Sequence, residues 1–309
     1  MRILQELSQV NPSGDTVLTI GVFDGVHRGH QYLLGKVIAH AAERGLHSSV
    51  VTFANNPKVV LRPGTEFYYL NSLNERIELI RETGIETVAP LTFDLDLSKL
   101  TAREFVQLLQ QHLKMRGIVV GPDFALGHNR EGTPQVLEAL GKELGFTFDQ
   151  VSVITNNESA ISSTVIRQEL AKGAIDSVNN MLGRNFSLKD FVQRGDGRGR
   201  DLGFPTANLI FPEDRGLPAD GIYATWAHLA NKKYPSATSI GTRPTFGNGK
   251  RVVEAFLIDF SGDIYNQELE IEFVQYIRPE ERFDSTKALI NQMALDVKRV
   301  RSILDQGNV

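Results

Sequence analysis

The sequence predicts an α/β domain on a mainly parallel sheet with helices on both faces, then a small antiparallel β-barrel with a C-terminal helix. Three observations lead there. From residue 16 to about 171, apolar β-type runs alternate with patterns of helical period, as in βαβ units. Beyond Lys172–Gly183 the alternation stops, and short β-like runs separated by Gly, Pro, Asn and Asp take over. A final stretch, 284 to 305, repeats Leu289, Ile290, Met293, Val297, Val300 and Ile303 as an apolar stripe. A chain of 309 residues also favours two domains. We place them at 1–182 and 183–309.

In the first domain, Thr16–Ile20 reads as a buried strand, and Leu33, Leu34, Val37, Ile38 and Ala41 mark the helix that follows. Ser48–Phe53 is a second strand, ending in the turn Ala54-Asn-Asn-Pro57, at the strand end where open α/β sheets bind ligands. A helix over 72 to 83, a strand over 86 to 91, a helix over 101 to 114 and the strand Ile118–Val120 continue the alternation. A helix over 133 to 144 and the strand Val151–Ile154 complete it.

Between the first strand and helix lies Gly21-Val-Phe-Asp-Gly-Val-His-Arg-Gly-His30. A strand–loop–helix puts backbone N–H groups and the positive end of a helix dipole at the loop, which suits phosphate. Gly21 and Gly25 permit tight backbone geometry, and Gly29 leaves room for a flat ligand at the helix start. His27 and His30, three apart, share a face of the first turn and are placed to donate to one anion. Metal ligation by the histidines with Asp24 ranks low, because no third histidine or HExxH-like helix lies nearby. Further on, Ser163 or Thr164 suits a helix N-cap, and Arg167 one turn later either forks two phosphate oxygens or is a solvated arginine. Gly35-Lys36, Gly141-Lys142 and Gly249-Lys250 lack the rest of a Walker A motif, so ATP, if bound, is not held in a P-loop.

In the second domain, strands are expected over Phe186–Leu188, Phe191–Val192, Ala207–Phe211, Gly221–Leu229, Ser236–Ile240, Arg251–Ile258 and Leu269–Val274. The stretch Gly195–Asn208 misses the dinucleotide fingerprint by one residue, and Pro205 blocks the helix which that fingerprint needs. Two readings stand open: a phosphate flap with Gly197, Gly199, Gly203 and the charges of Arg198 and Arg200, or a mobile loop before an edge strand. Thr206 and Asn208 face the same way on an extended strand and suit Mg²⁺ or phosphate. Glu254 is either solvent-facing on an alternating strand or a general base.

Bulk composition bounds the function classes. Hydrophobic residues are 41% and charged ones 23%, as in ordinary globular proteins. A net charge of −4 argues against a general nucleic-acid binder. The absence of cysteine excludes disulfides, thiolate metal sites and a cysteine nucleophile. Met1–Leu7 carries no apolar signal core and no window approaches a membrane span, so the expected location is cytoplasmic, with no membrane partner.

The loop Gly21–His30 resembles the HxGH signature of the nucleotidyltransferase superfamily. Its longer form, GxFDGxHxGH, is similar to that of bacterial bifunctional riboflavin kinase/FAD synthetases. Phe53–Pro57 resembles that family's FxxxP, Gly121–Gly132 its GxDFxFGxxxxG with Leu126 in place of the second Phe, and Ile161–Arg167 its ISSTxIR. In the second domain Gly195–Leu209 resembles GxGxGRxLGxPTANL, Gly221–Ala224 GVYA, and Ile240–Phe246 IGxRPTF, with Ser239 where many members have Asn. Asp263-Ile-Tyr265, Ile277-Arg278-Pro-Glu and Phe283 complete the match.

The resemblance implies a Rossmann-like nucleotidyltransferase domain that converts FMN and ATP to FAD and pyrophosphate, and a barrel that phosphorylates riboflavin to FMN. It implies that His27, His30 and Arg167 are catalytic in the first, and that Gly21, Phe23, Asp24, Gly25, Gly29, Asp123, Ser163 and Thr164 bind the nucleotide. Phe53, Pro57 and Phe124 would contact flavin there. In the barrel it implies Glu254 as catalytic base, Gly197, Gly199, Arg200, Gly203 and Thr206 on ATP, and Asn208 and Arg278 on flavin. Thr206 and Asn208 would hold the Mg²⁺ that accompanies ATP. The expected partners are ATP, riboflavin and FMN, with no nucleic acid. A nucleotidyltransferase for another phosphate ester would leave the barrel without a role. A flavin-binding regulator with decayed sites fits poorly with intact His27, His30, Thr206, Asn208 and Glu254.

Overall fold

The computed structural model describes residues 1–152, 155–156, 159–195, 197–242 and 251–306. The chain separates into two compact units, Met1–Ser163 and Thr164–Val309.

The first unit runs α1 (Arg2–Ser8), β1 (Thr16–Gly21), α2 (Arg28–Glu43), β2 (His47–Phe53), α3 (Pro57–Leu61), α4 (Leu73–Glu82) and β3 (Thr87–Leu91). It continues with α5 (Ala102–Leu113), β4 (Met115–Val120), α6 (Pro134–Leu144), β5 (Thr147–Gln150) and the short pair β6 (Thr155–Asn156) and β7 (Ser159–Ala160). Five strands form a parallel sheet in the order β3-β2-β1-β4-β5. The chain builds outward from β1 on one side and then returns to β4 on the other. This leaves a topological switch between β1 and β4, where ligands of such sheets bind.

Alternate residues of each strand feed opposite faces, so the sheet has two cores. Leu18, Val51 and Ile118 meet α1, α5 and α6, while Val17, Val50 and Val119 meet α2 and α4. On α2 the buried positions are Leu34, Val37 and Ala41, with Leu33 and Ile38 partly covered. Each fully buried Leu or Val contributes roughly 1.5–3 kcal/mol relative to exposure. Capping boxes start α4 (Ser72, Glu75) and α5 (Thr101, Glu104).

In the second unit, α7 (Ser163–Ala171) opens at the boundary and α8 (Ile175–Leu182) follows. Then come β8 (Phe186–Phe191), α9 (Arg198–Asp201), β9 (Ala207–Leu209), β10 (Gly221–Leu229), β11 (Lys232–Thr242), β12 (Arg251–Leu257), β13 (Glu268–Arg278) and α10 (Thr286–Gln306). Six strands pair antiparallel in the order β8-β13-β10-β11-β12-β9. The sheet curls until its edges meet: Gln193, just past β8, donates its amide to the Asn208 carbonyl of β9 at 2.8 Å. Helix α10 packs Val300, Leu304 and Val297 against Ala224, Ile258 and Ile277.

Several expected elements move. The fifth strand lies at Thr147–Gln150, and Val151 and Ser152 of the expected strand fall outside it; it is a half-exposed edge strand, so it carries no apolar run to betray it. Val151 only ends its ladder, by donating to the Val120 carbonyl at 2.9 Å. Residues 153–154 lie outside the described residues, as do Arg243–Phe246 of the IGTRPTF segment and Gly249-Lys250. Phe191 closes β8 instead of opening a strand of its own. Helix α7 starts at Ser163, so Ser163 and Thr164 are its first residues rather than its cap. The Gly/Arg stretch folds into the single turn α9, stitched by Phe204 N–H to Gly199 carbonyl at 2.8 Å, rather than running as an open loop.

Candidate active sites

In the first unit, the loop after β1 is held in a costly conformation. Phe23 (φ 54°), Gly25 (φ 83°) and Val26 (φ 38°) all occupy left-handed space. For the two non-glycine residues this costs roughly 1–3 kcal/mol each and persists only where packing enforces it. Phe23 and Val26 supply that packing, buried against α2 and β1. The Asp24 carboxylate is buried too. It accepts from the Leu70 amide at 2.9 and 3.2 Å and from the Asn71 amide at 3.4 Å, so it ties the loop to the segment before α4. Gly21 lets the Phe23 ring lie on β1, since a Cβ there would sit 3.1 Å from the ring.

His27 is the N-cap of α2: its Nδ1 accepts from the His30 amide at 3.3 Å. That bond puts the proton of the neutral ring on Nε2, a donor for an anion. The two imidazoles stack, with centroids 3.6 Å apart and 17° between planes. His30 is half-buried, with its Nδ1 buried and unpartnered. Burial, then the neighbouring His27 and Arg76, hold its pKa well below the usual histidine value, so it is neutral at pH 7. Gly29 gives the His27 ring its room: a Cβ would stand 3.1 Å from Cε1 and 3.6 Å from the Ile161 carbonyl. Ser163, at the end of this unit, donates its hydroxyl to the Asp24 carbonyl at 2.8 Å. Thr164 is exposed and Arg167 half-buried on the following turn.

Two further loops leave the same end of the sheet. Phe53 ends β2 half-buried, edge-on to Phe93 at 5.6 Å. Asn55 exchanges two hydrogen bonds with the Phe93 backbone (2.8 and 2.9 Å), and Asn56 caps α3, whose first residue is Pro57. After β4, Asp123 is exposed and Phe124 is partly buried against the core. Leu126 lies inside that core, 8% exposed, and packs inward. Gly127 and Gly132 press against Ala102, where a Cβ on either would collide. Arg76, which the sequence reading overlooked, is 1% exposed beneath these loops.

In the second unit, Thr206 stands between two cavities. The larger, about 540 Å³, is lined by Glu254, Phe204, Phe256, Ile222, Arg278 and Met293 among others. The smaller, about 290 Å³, is lined by Arg200, Pro205, Phe260, Asp263 and Tyr265 among others. Thr206 lines both, and its hydroxyl lies 3.4 Å from Glu254 Oε2. Glu254 pairs with Asn208 on one side and with Ser239 on the other, and it faces the larger cavity, not bulk solvent. Asn208 is 5% exposed; its Oδ1 is buried without a partner, and its Nδ2 donates to the Thr206 carbonyl at 3.3 Å. Gly195 makes room for that amide.

Gly199 lines the larger cavity and meets the Phe204 carbonyl too closely to carry a Cβ, while Gly197 (φ 72°) and Gly203 (φ 85°) bracket the turn. The Arg198 side chain lies outside the described residues. Arg278 lines the larger cavity, but its guanidinium is taken: Nε and Nη2 hold Asp296 of α10 at 3.0 and 2.7 Å. Asp296 was not singled out in the sequence, although a carboxylate between Met293 and Val297 interrupts the apolar stripe. Among the described residues no group of three or more His, Cys, Asp or Glu could hold a metal ion. Nor is any described helix long and apolar enough to cross a membrane.

Residues 10–165 match the family model for FAD synthetase, and residues 182–304 that for riboflavin kinase. A Pseudomonas fluorescens protein named bifunctional riboflavin kinase/FMN adenylyltransferase is 34% identical, with 98% of each chain covered. One of the same name from Escherichia coli K12 is 36% identical over 96% of this chain and 95% of its own. A crystal structure of a Streptococcus pneumoniae protein, described as a macrolide-efflux protein, superposes with a TM-score of 0.88 at 29% identity over 96% of each chain.

Proposed function

The chain belongs to the bifunctional riboflavin kinase/FMN adenylyltransferase family, and from that premise we infer how its two sites divide two ATP-dependent reactions. It phosphorylates riboflavin to FMN and adenylylates FMN to FAD with release of pyrophosphate. We assign the first reaction to residues 183–309 and the second to residues 1–182.

The observation that carries the kinase assignment is Thr206 lining two cavities at once, with Glu254 opening into the larger. Aromatic and aliphatic walls suit the isoalloxazine ring in the larger cavity, while Arg200 suits phosphate at the smaller. The terminal hydroxyl of riboflavin then meets the γ-phosphorus beside Thr206. Glu254 accepts the hydroxyl proton, the new O–P bond forms, the bond from γ-phosphorus to the bridging oxygen breaks, and ADP leaves. Gly197, Gly199 and Gly203 allow the tight α9 turn that presents the Arg200 side chain to the smaller cavity. The unpartnered Asn208 Oδ1 and the Thr206 hydroxyl are neutral oxygens that fit Mg²⁺, an ion that takes most of its ligands from phosphate and water. Bound there, the ion would neutralise charge on the transferring phosphoryl group. Arg278 acts on flavin indirectly, by locking α10 as a cavity wall through Asp296.

In residues 1–182 the nucleophile is a phosphate oxygen of FMN, already anionic, so no base is required. It attacks the α-phosphorus of ATP, the bond to the bridging oxygen breaks, and pyrophosphate departs. Catalysis comes from placement and from donors set before the reaction: His27, His30, Thr164, Arg167 and the amides of Gly25 and Gly29, while Ser163 ties its segment to the Asp24 carbonyl. Phe23 and Asp24 hold that loop in shape. Gly21 and Asp123 border the nucleotide, and Phe53, Pro57 and Phe124 border the flavin.

Incubation with riboflavin, ATP and Mg²⁺, with FMN and FAD resolved over time, tests the reading. FMN should rise first and FAD at its expense, and omission of Mg²⁺ should stop both. FAD without a requirement for ATP, or an inert mixture, would refute it.

A further inference from the structure

Arg76 has no part in the chemistry just described, yet among the described residues of the first unit it is the largest fully buried side chain. It sits on α4 beside the capping box, at a position where the helix faces the sheet. Its Nη1 donates to the Val22 carbonyl at 2.8 Å and to the Phe53 carbonyl at 2.6 Å. Val22 is the first residue after β1, inside the histidine loop, and Phe53 is the last of β2. One guanidinium therefore bridges the strand ends that carry the nucleotide side and the flavin side. The Thr52 hydroxyl reinforces the junction by donating to the same Val22 carbonyl at 3.0 Å.

Stability does not account for this choice. A buried cation costs several kcal/mol unless fully compensated, and an apolar side chain of similar volume is often neutral or better. Compensation here is partial. The Asp24 carboxylate and the Tyr69 ring, 5.9 Å away, favour the charge, but Nε has no partner.

We propose that Arg76 is a positioning residue for adenylyl transfer, fixing the spacing between the histidine loop and the Phe53–Pro57 turn and thereby the line of attack of the flavin phosphate on the α-phosphorus. The proposal rests on the assignment of adenylyl transfer to the first unit. Its charge has a second effect. His30 faces His27 and the Phe23 ring edge from its own loop and feels the charge of Arg76 from α4, which Asp24 in turn favours. Arg76 thus helps keep His30 unprotonated. Loss of the charge lets His30 take up a proton at higher pH.

The test uses the full chain with Arg76→Met, Arg76→Lys and Arg76→Gln, following FMN-to-FAD and riboflavin-to-FMN rates in the same samples. Arg76→Met should lower kcat for FAD formation by about 10²-fold, the scale for a misplacement near 1 Å. It should also move the acid limb of the pH profile upward while leaving FMN formation unchanged. Arg76→Lys keeps the charge and a donor on a shorter stem, and should restore the acid limb and part of the rate. Should Arg76→Met fail to fold, as read by circular dichroism, Arg76→Gln decides, since it keeps a donor without charge: its acid limb should still move. The idea is overturned by an unchanged kcat in Arg76→Met, by an acid limb unmoved in the neutral variants, or by a rate loss in Arg76→Lys equal to that in Arg76→Met. A wild-type chain that makes no FAD from FMN would instead condemn the underlying assignment, and is scored separately.

Discussion

His30 pulls against the fold and serves the site through the same burial. Its pKa is held well below the ordinary value, first by burial and then by His27 and Arg76. The unfolded chain, with a histidine near 6.5, therefore binds the proton first. Stability from the neutral ring is complete above that value and falls as pH drops through it. Calorimetry should show the melting of the first unit declining below about pH 6.5, with the decline flattened in His30→Gln; an unchanged slope in that variant would assign the acid sensitivity elsewhere. Single residues of this kind were legible where type and spacing coincide. His27 and His30 at an i, i+3 interval after a strand, and Thr206 and Asn208 at i, i+2 on one, announce a shared face. Arg76 and Asp296 were not, because each is one charge inside an otherwise apolar stripe, a pattern that reads as a solvated edge until a buried partner is seen. Asp24 was legible as a site residue, but its partners, the Leu70 and Asn71 amides, are 46 and 47 residues away and invisible to local spacing.

Elements obey the same division. Strands covered on both faces, such as β1, β2 and β4, declare themselves by continuous apolar runs. Edge strand β5 does not, since one side of it meets water and its residues are Thr-Phe-Asp-Gln. The short helices α1 and α3 were missed because seven and five residues carry too little period. Helix α10 was visible, but what locks it was not: the Arg278–Asp296 pair, with side chains 14% and 8% exposed, joined by Gln292 at 3.0 Å. Removal of one partner from so buried a pair leaves an unmatched charge, worth about 3–5 kcal/mol. Asp296→Ala should therefore lower the denaturant midpoint of the second unit and raise the KM for riboflavin, with FAD formation from supplied FMN untouched. A variant with normal KM would show that the wall formed by α10 does not contact flavin.

For the whole molecule, two folds of different architecture share one chain, and each brings its own grip on ATP. The compact units divide at Ser163/Thr164, upstream of the compositional change near 183. The reason lies in α8, which buries Val178, Met181 and Leu182 and anchors Asn179 to the Phe273 carbonyl and the Phe186 amide. A fragment of residues 164–309 should form FMN at the rate of the full chain, whereas 183–309, stripped of that cover, should melt several degrees lower; equal melting would deny α8 its structural part. The central claim, that separate sites pass different pieces of ATP to the same vitamin, is tested most directly by a product-resolved time course with His30→Ala and Glu254→Ala. His30→Ala should accumulate FMN with FAD formation cut about 10²–10³-fold, and Glu254→Ala should make no FMN from riboflavin yet convert supplied FMN to FAD at the normal rate. A folded variant of either kind that loses both activities would contradict the account.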